Sequence, residues 1–168
     1  MFLIIITTAV ALILLLLILA FILPKHYSVT VTQTINKPKD VVFDYIRLFK
    51  HQTEYSEWLK KDPELHTNIT GEDGVIGSML RWVSFNEDKN LNVGIGEQEI
   101  INMDENQIEV ELRLIKPLEG NCKLIHKFVS PTINQTSYTC TFKAYAKFPT
   151  NLPAYLIGRH FIKKSVTS

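Results

Sequence analysis

The sequence predicts an α+β domain: one antiparallel sheet of seven strands, helices at two places along it, and a single apolar helix in front. Three observations predict this. Met1 to Leu23 contains no charged side chain. The middle of the chain is a succession of short strand-like segments joined by turn-prone pieces. Helical periodicity is confined to the residues after Lys37 and to the C-terminal end. Strands gathered in one run with helices kept apart from them describe an α+β layer arrangement rather than alternating βα units.

The first element is the apolar run. Leu, Ile, Ala and Phe dominate it, Thr7 and Thr8 are its polar side chains, and Pro24 closes it. An apolar stretch of roughly 20 residues is what a helix needs to cross a bilayer. A cleaved signal peptide would carry a basic residue ahead of a core of about 7–15 residues and a small-x-small site behind it. None of these is present, so residues 1–23 are expected to be an uncleaved membrane helix and 24–27 a short linker to a domain spanning 28–168. Lys25, Lys37 and Lys39 follow the helix. Basic residues favour the cytoplasmic flank, so the domain is expected there, on a single-pass membrane protein.

"HYSVTVTQTI" alternates Val29, Val31 and Ile35 with Thr30, Thr32 and Thr34, the period of a strand. "NKPKDVVFDYIRLF" shifts to helical spacing, with Pro38 suited to its first turn. "HQTEYSEWLKKDPEL" reads as a second short helix that breaks before Pro63. Six strands follow: "LHTNITG", "VIGSMLRWVSF", "LNVGIGEQEIINM", "NQIEVELRLI", "CKLIHKFVS" and "TSYTCTFKAYAKF". "GEDG", "NEDKN", "MDEN", "KPLEGN" and "SPTINQ" lie between them as turns. "LPAYLIGRHFIKK" then predicts a terminal helix across the sheet. A sheet curled around such a helix encloses a cavity.

Composition excludes several functions. The domain carries 18 basic and 17 acidic side chains, without the basic stripe that a nucleic-acid surface needs. Two cysteines, Cys122 and Cys140, make no disulfide framework and read as buried thiols. The sequons at Asn68 and Asn134 matter only for a lumenal domain. The five histidines lack metal-ligand spacing, so no metal and no cofactor is expected.

Gly94 and Gly96 begin a G-x-G, but Glu99 stands where a dinucleotide loop has its third glycine, and strand rather than helix follows. A bend in a strand is the expected role. Glu97 and Glu99 share a face; with Gln98, Ile100 and the glycines inward, both meet solvent, unless a slip at the glycines turns Glu97 in. His126 lies mid-strand with Cys122, Leu124 and Phe128, as a core histidine or a ligand contact.

"TINKPKDVVFDYI", Trp58, "GEDGVIGSMLRW", "VGIGEQEI" and the later Lys116–Pro117, in this order and spacing, resemble the polyketide cyclase/dehydrase-like group of the START-like (SRPBCC) superfamily. The resemblance runs from about Ser28 to the C-terminus. It implies a helix-grip fold, a curved antiparallel sheet gripping a C-terminal helix over an apolar pocket. It also implies binding of a hydrophobic small molecule or lipid, catalysis being confined to some members. The terminal helix departs from the pattern by its shortness. That leaves the pocket more open, leaves part of the sheet to a membrane or partner, or marks a truncated product.

The inward choice along the strands places Leu80, Trp82, Gln98, Ile100, Leu112, Leu124, His126 and Phe142 around the pocket, with Tyr155 from the terminal helix. Such pockets are mostly apolar with a few polar anchors. Gln98, His126, Tyr155 and Arg81 are the candidate anchors, and Glu97 joins them if it turns in. The expected function is membrane-anchored binding of a lipid or other hydrophobic molecule without catalysis. The alternatives are a cyclase or hydrolase acting on a lipophilic substrate, and a protein-interaction module.

Overall fold

The computed structural model describes residues 1–117, 119–149 and 151–153. Helix α1 spans Phe2–Ile22. It carries no Gly or Pro, and Thr7 and Thr8 return their hydroxyls to the carbonyl of Ile4 at 3.0 and 2.7 Å, so no polar side-chain group is left over. It is exposed and apolar all round except at Ala20, and is long and apolar enough to cross a membrane.

Strand β1 (His26–Ile35) begins at once. Helix α2 (Lys39–Arg47) follows, with Pro38 at its N-cap. The second helix expected from the sequence is not continuous. It resolves into a 3-10 turn at Phe49–His51, one α-turn (α3, Gln52–Tyr55) and another 3-10 turn at Leu59–Lys61. Two interactions compete with the helix, one from a distant side chain and one local. The carboxylate of Asp73 accepts the N–H groups of Phe49 and Lys50 at 2.8 and 3.1 Å. Ser56 turns extended at the end of α3 and its Oγ accepts the Leu59 N–H. Short polar side chains that bond nearby backbone are what end helices early.

The remaining strands are β2 (His66–Thr70), β3 (Met79–Val83), β4 (Ile95–Met103), β5 (Gln107–Lys116), β6 (Gly120–Thr132) and β7 (Gln135–Tyr145). They form one antiparallel sheet in the order β1-β7-β6-β5-β4-β3-β2. The six later strands are thus a meander, and β1 closes onto β7 along its whole length, from His26 opposite Tyr145 to Ile35 opposite Thr136. The last hairpin is tighter than the sequence suggested. β6 runs to Thr132, which pairs with Gln135 across a two-residue turn.

Register sorts the side chains into rows. Leu80, Gln98, Leu112, Cys122 and Ala144 form one inward row, and Ile100, Val110, Leu124, Phe142 and Val29 the next. A core of Val42, Phe49, Leu59, Leu80, Trp82, Ile100, Val110 and Phe128 joins this face to α2 and the turns after it.

The two glycines of "VGIGEQEI" serve the sheet. Gly94 enters β4 with φ +74°, and a side chain there would overlap the Lys116 carbonyl oxygen. Gly96 lies opposite Trp82. A Cβ at Gly96 would run into the indole and lie 2.9 Å from the Arg113 carbonyl oxygen. The register shifts between Ile95 and Gly96, the bulge of a bending strand.

At the other end, Asn151 joins the sheet domain to α1. Its amide donates to the carbonyls of Ala20 and Leu23 at 2.6 and 3.1 Å, two of the acceptors that a helix C-terminus leaves open. The terminal helix predicted over 152–164, and with it Tyr155, lies outside the described residues beyond Pro153.

Candidate functional site

Between α2, α3 and the inward face of β1, β6 and β7 lies a cavity of about 540 Å³. Ile35, Val41, Val42, Ile46 and Leu124 supply its apolar wall. Gln52, Tyr55, His126, Tyr138 and Cys140 supply the polar atoms. Lys37 and Glu57, the charged side chains among its lining residues, lie on the exposed flank where α2 and the following turns meet β1, and Glu57 is held by Lys60 at 3.0 Å.

Strand alternation positions the polar wall. His126 lies directly opposite Cys140 across the β6–β7 pair, and Phe128 opposite Tyr138. His126 Nδ1 and Tyr138 Oη are 2.7 Å apart, and the two rings stack at 14° with centroids 5.9 Å apart. Burial disfavours every charged form here. It pulls the His126 imidazole down to about 4 and pushes the Tyr138 phenol well above its usual range. It also pushes the Cys140 thiol up to about 11 and raises Tyr55. Near neutral pH the inner wall is therefore uncharged, with a neutral imidazole bonded to a protonated phenol.

Gln52 reaches from α3 to meet Gln98 on β4. The two buried amides bond reciprocally, Gln52 Nε2 donating to Gln98 Oε1 at 3.0 Å and Gln98 Nε2 to Gln52 Oε1. Gln98 thus has a protein partner and ties α3 to the sheet beneath the cavity.

Of the residues expected around a pocket, Leu124 and His126 line this cavity. Leu80, Trp82 and Ile100 are sealed in the core at 1–2% exposure, and Leu112 and Phe142 lie on the inward face outside the cavity wall. Arg81 and Glu97 stand on the opposite face of the sheet, paired in register with each other. The slip at the glycines falls before Glu97 and does not turn it inward. Its carboxylate meets Arg113 Nε at 2.8 Å, beside Glu99 at 2.9 Å from Nη2 and Glu111 on Nη1. Alternation decides this: with Gly96 under Trp82 and Gln98 buried, Glu97 faces out.

Tyr138, Gln52 and Tyr55 were missed from the sequence. Tyr138 lies two residues before Cys140 on an alternation already assigned inward, and was readable by extending it one step. Gln52 and Tyr55 depend on how α3 docks, for which the sequence has no local signal. Among the described residues no group of three His, Cys, Asp or Glu side chains could hold a metal. Cys122 and Cys140 are free thiols. A second hollow, about 450 Å³, lies at the end of the sheet next to α1, between His26, Tyr27, Lys123 and Lys143. It is shallower, and most of its residues belong to the outer face.

No family model matches the sequence. No curated protein matches it either. Solved structures do. Norcoclaurine synthase from Thalictrum flavum, in complex with dopamine and hydroxybenzaldehyde, is similar with a TM-score of 0.57 and 14% identity, over 79% of this chain and 75% of that one. Major latex-like protein 151 from Panax ginseng is similar with a TM-score of 0.51 and 13% identity, over 86% and 100%. The di-domain ARO/CYC BexL from the BE-7585A biosynthetic pathway is similar with a TM-score of 0.56 and 16% identity, over 85% and 46%. At these identities the likeness is one of fold alone, and that fold is the helix grip expected from the sequence. A synthase shares it, so the expectation of no catalysis gains no support from the comparison.

Proposed function

We propose that this chain binds a hydrophobic small molecule or lipid in the cavity between α2, α3 and the sheet, and does so at a membrane that α1 crosses. The carrying observation is the cavity itself: an apolar wall interrupted by the uncharged His126–Tyr138 pair, the composition of a site for a lipophile with a polar end. The apolar, exposed surface of α1 supports the anchor, and the lysines that follow it support a domain on the cytoplasmic side. Asn151 clasps the sheet domain to α1, which would keep the domain beside the bilayer, where lipophiles concentrate.

Native mass spectrometry of the full chain, released from native-lipid nanodiscs, tests this. Bound small molecules are expected with the wild type and not with Leu124→Trp, which fills the cavity. Repeated recovery of the wild type empty overturns the reading. For sidedness, a cysteine placed at exposed Lys89 is expected to resist an impermeant maleimide in intact cells; labelling there reverses the orientation.

Catalysis on a lipophilic substrate is the second reading, favoured by the convergence of His126, Tyr138, Tyr55 and Cys140 on one cavity. An imidazole held at about 4 is a weak general base near neutral pH, which weighs toward binding. Turnover of a co-purified molecule that His126→Ala abolishes would establish the enzyme.

A further inference from the structure

Given binding in the α2/α3 cavity, the remaining question is which chemical class the cavity accepts. We infer that it selects an uncharged lipophile presenting a hydroxyl or carbonyl oxygen to the His126–Tyr138 pair, and rejects lipophiles that end in a carboxylate.

The inference starts from hydrogen-bond accounting at the pair. His126 Nδ1 and Tyr138 Oη share one hydrogen bond. A neutral imidazole carries one N–H and one bare nitrogen, and a phenol carries one O–H. If Tyr138 donates to Nδ1, then Nε2–H is left as a donor. If Nδ1–H donates to Tyr138, the phenol O–H is left as the donor and Nε2 as an acceptor. In the second tautomer the phenol O–H meets the Cys140 sulfur, so it is the first, with its free Nε2–H, that leaves an unused hydrogen for a ligand oxygen. Among the described residues nothing hydrogen-bonds His126 Nε2. A hydroxyl or carbonyl oxygen accepting that hydrogen gains a hydrogen bond inside the cavity, where few other donors are free.

A carboxylate needs more than one neutral donor, because losing water around a full charge is compensated only by a counter-charge or several N–H groups. The buried part of the described wall offers neither. The Gln52 amide is committed to Gln98, and Tyr55 donates to the Ile46 carbonyl at 3.4 Å. Cys140 is a protonated thiol. Lys37, the cation among the lining residues, is exposed to water rather than buried in the wall. Burial of the whole wall, which keeps His126 from becoming a cation, points the same way.

Three bicyclic probes of matched shape test the inference: 2-naphthol, 2-naphthoate and naphthalene. Each is titrated by calorimetry into the full chain in zwitterionic nanodiscs, with empty nanodiscs as the blank. Near neutral pH the naphthol is expected to bind about tenfold more tightly than naphthalene, the gain of one well-made hydrogen bond, and the naphthoate more weakly than both. His126→Phe is expected to abolish the naphthol advantage over naphthalene. In the wild type the imidazole carbon-bound proton resonances are expected to move with naphthol and not with naphthalene, a measurement that needs no variant. Naphthoate binding as tightly as naphthol overturns the class inference and leaves the binding site standing. So does a naphthol advantage that survives His126→Phe, or imidazole resonances that naphthol does not move. If none of the three probes binds, the cavity reading falls with it.

Discussion

The two faces of the sheet handle polar groups in opposite ways. On the inward face neutral groups pair with one another, Gln52 with Gln98 and His126 with Tyr138. On the outward face they are charged and shared. Arg113 gathers Glu97, Glu99 and Glu111, Lys123 meets Glu109, and threonine hydroxyls ladder across β1 and β7 at Thr30–Thr141 and Thr32–Thr139. Glu97 and Gln98 are adjacent in the chain yet belong to these different regimes. A polar residue in a strand has its meaning set by its face before its chemistry. Inside, an unpaired group is costly to bury; outside, water is always an alternative partner.

The contrast is broken most severely where the two faces meet in one backbone position. Gly96 lets the Trp82 indole lie against β4 on the inward side. Gly96→Ala is expected to destabilise the domain by about 3 kcal/mol, since the new methyl group meets both the indole and the Arg113 carbonyl oxygen. Chemical denaturation of the domain would register this as a lowered midpoint with little change in slope. A midpoint within error of the wild type would mean that Trp82 relocates at no cost.

The next test exploits charge. His126 titrates at about 4 when folded, below its ordinary value near 6.5. The unfolded chain therefore binds the extra proton first, so stability contributed by this residue is present above pH ~6.5 and lost as pH falls toward ~4. The loss is about 3 kcal/mol across that window. Carboxylates titrate in the lower part of it too, so the measurement is a difference: wild type minus His126→Gln, each followed by denaturation as a function of pH. Parallel pH profiles for the two proteins would refute a buried neutral imidazole.

Replacing Gln98 by Leu leaves the Gln52 amide buried without a partner and is expected to cost about 2 kcal/mol. Adding Gln52→Leu removes the orphan, and the double variant is expected to be more stable than either single one. Additive losses in that cycle would show the two amides to be independent.

This pair also marks how far the sequence could be read. Strand periodicity was enough for the inward row through Leu80, Gln98 and Leu112, because alternation is a local property of β-strands, but it left the direction of Glu97 open to a slip at the glycines. It could not say that Gln98 was already engaged, since its partner comes from α3, forty-six positions earlier in the chain. Nor could it say that α3 would be one turn long, since that follows from Asp73 reaching back to Phe49 and Lys50. The cavity is bounded by those long-range docking events. Only its sheet side, at Leu124 and His126, was therefore named beforehand, while Gln52 and Tyr55 were not. The G-x-G of "VGIGEQEI" was legible as a bend, but the side chain it makes room for, Trp82, became visible only in the register of β3 against β4.

The gentlest test returns to the outward face. Arg113 to Met keeps the aliphatic stem over the sheet and removes the charge. What remains is three carboxylates around one empty point, Glu97 and Glu99 on β4 and Glu111 beside them on β5. If the outward cluster were a buried network, losing its centre would leave uncompensated charges in a poorly solvated place, with losses of several kcal/mol. The Arg113 side chain is 25% exposed and Glu111 40%, so water and salt reach the group. The expected cost is therefore about 1 kcal/mol. It is also expected to shrink as salt is added, because what is lost is mainly the neutralisation of three like charges that mobile ions can screen. Thermal unfolding of Arg113→Met and wild type across a salt series checks both statements at once. A deficit that persists unchanged at high salt would place this cluster with the inward pairs and erase the distinction between the two faces.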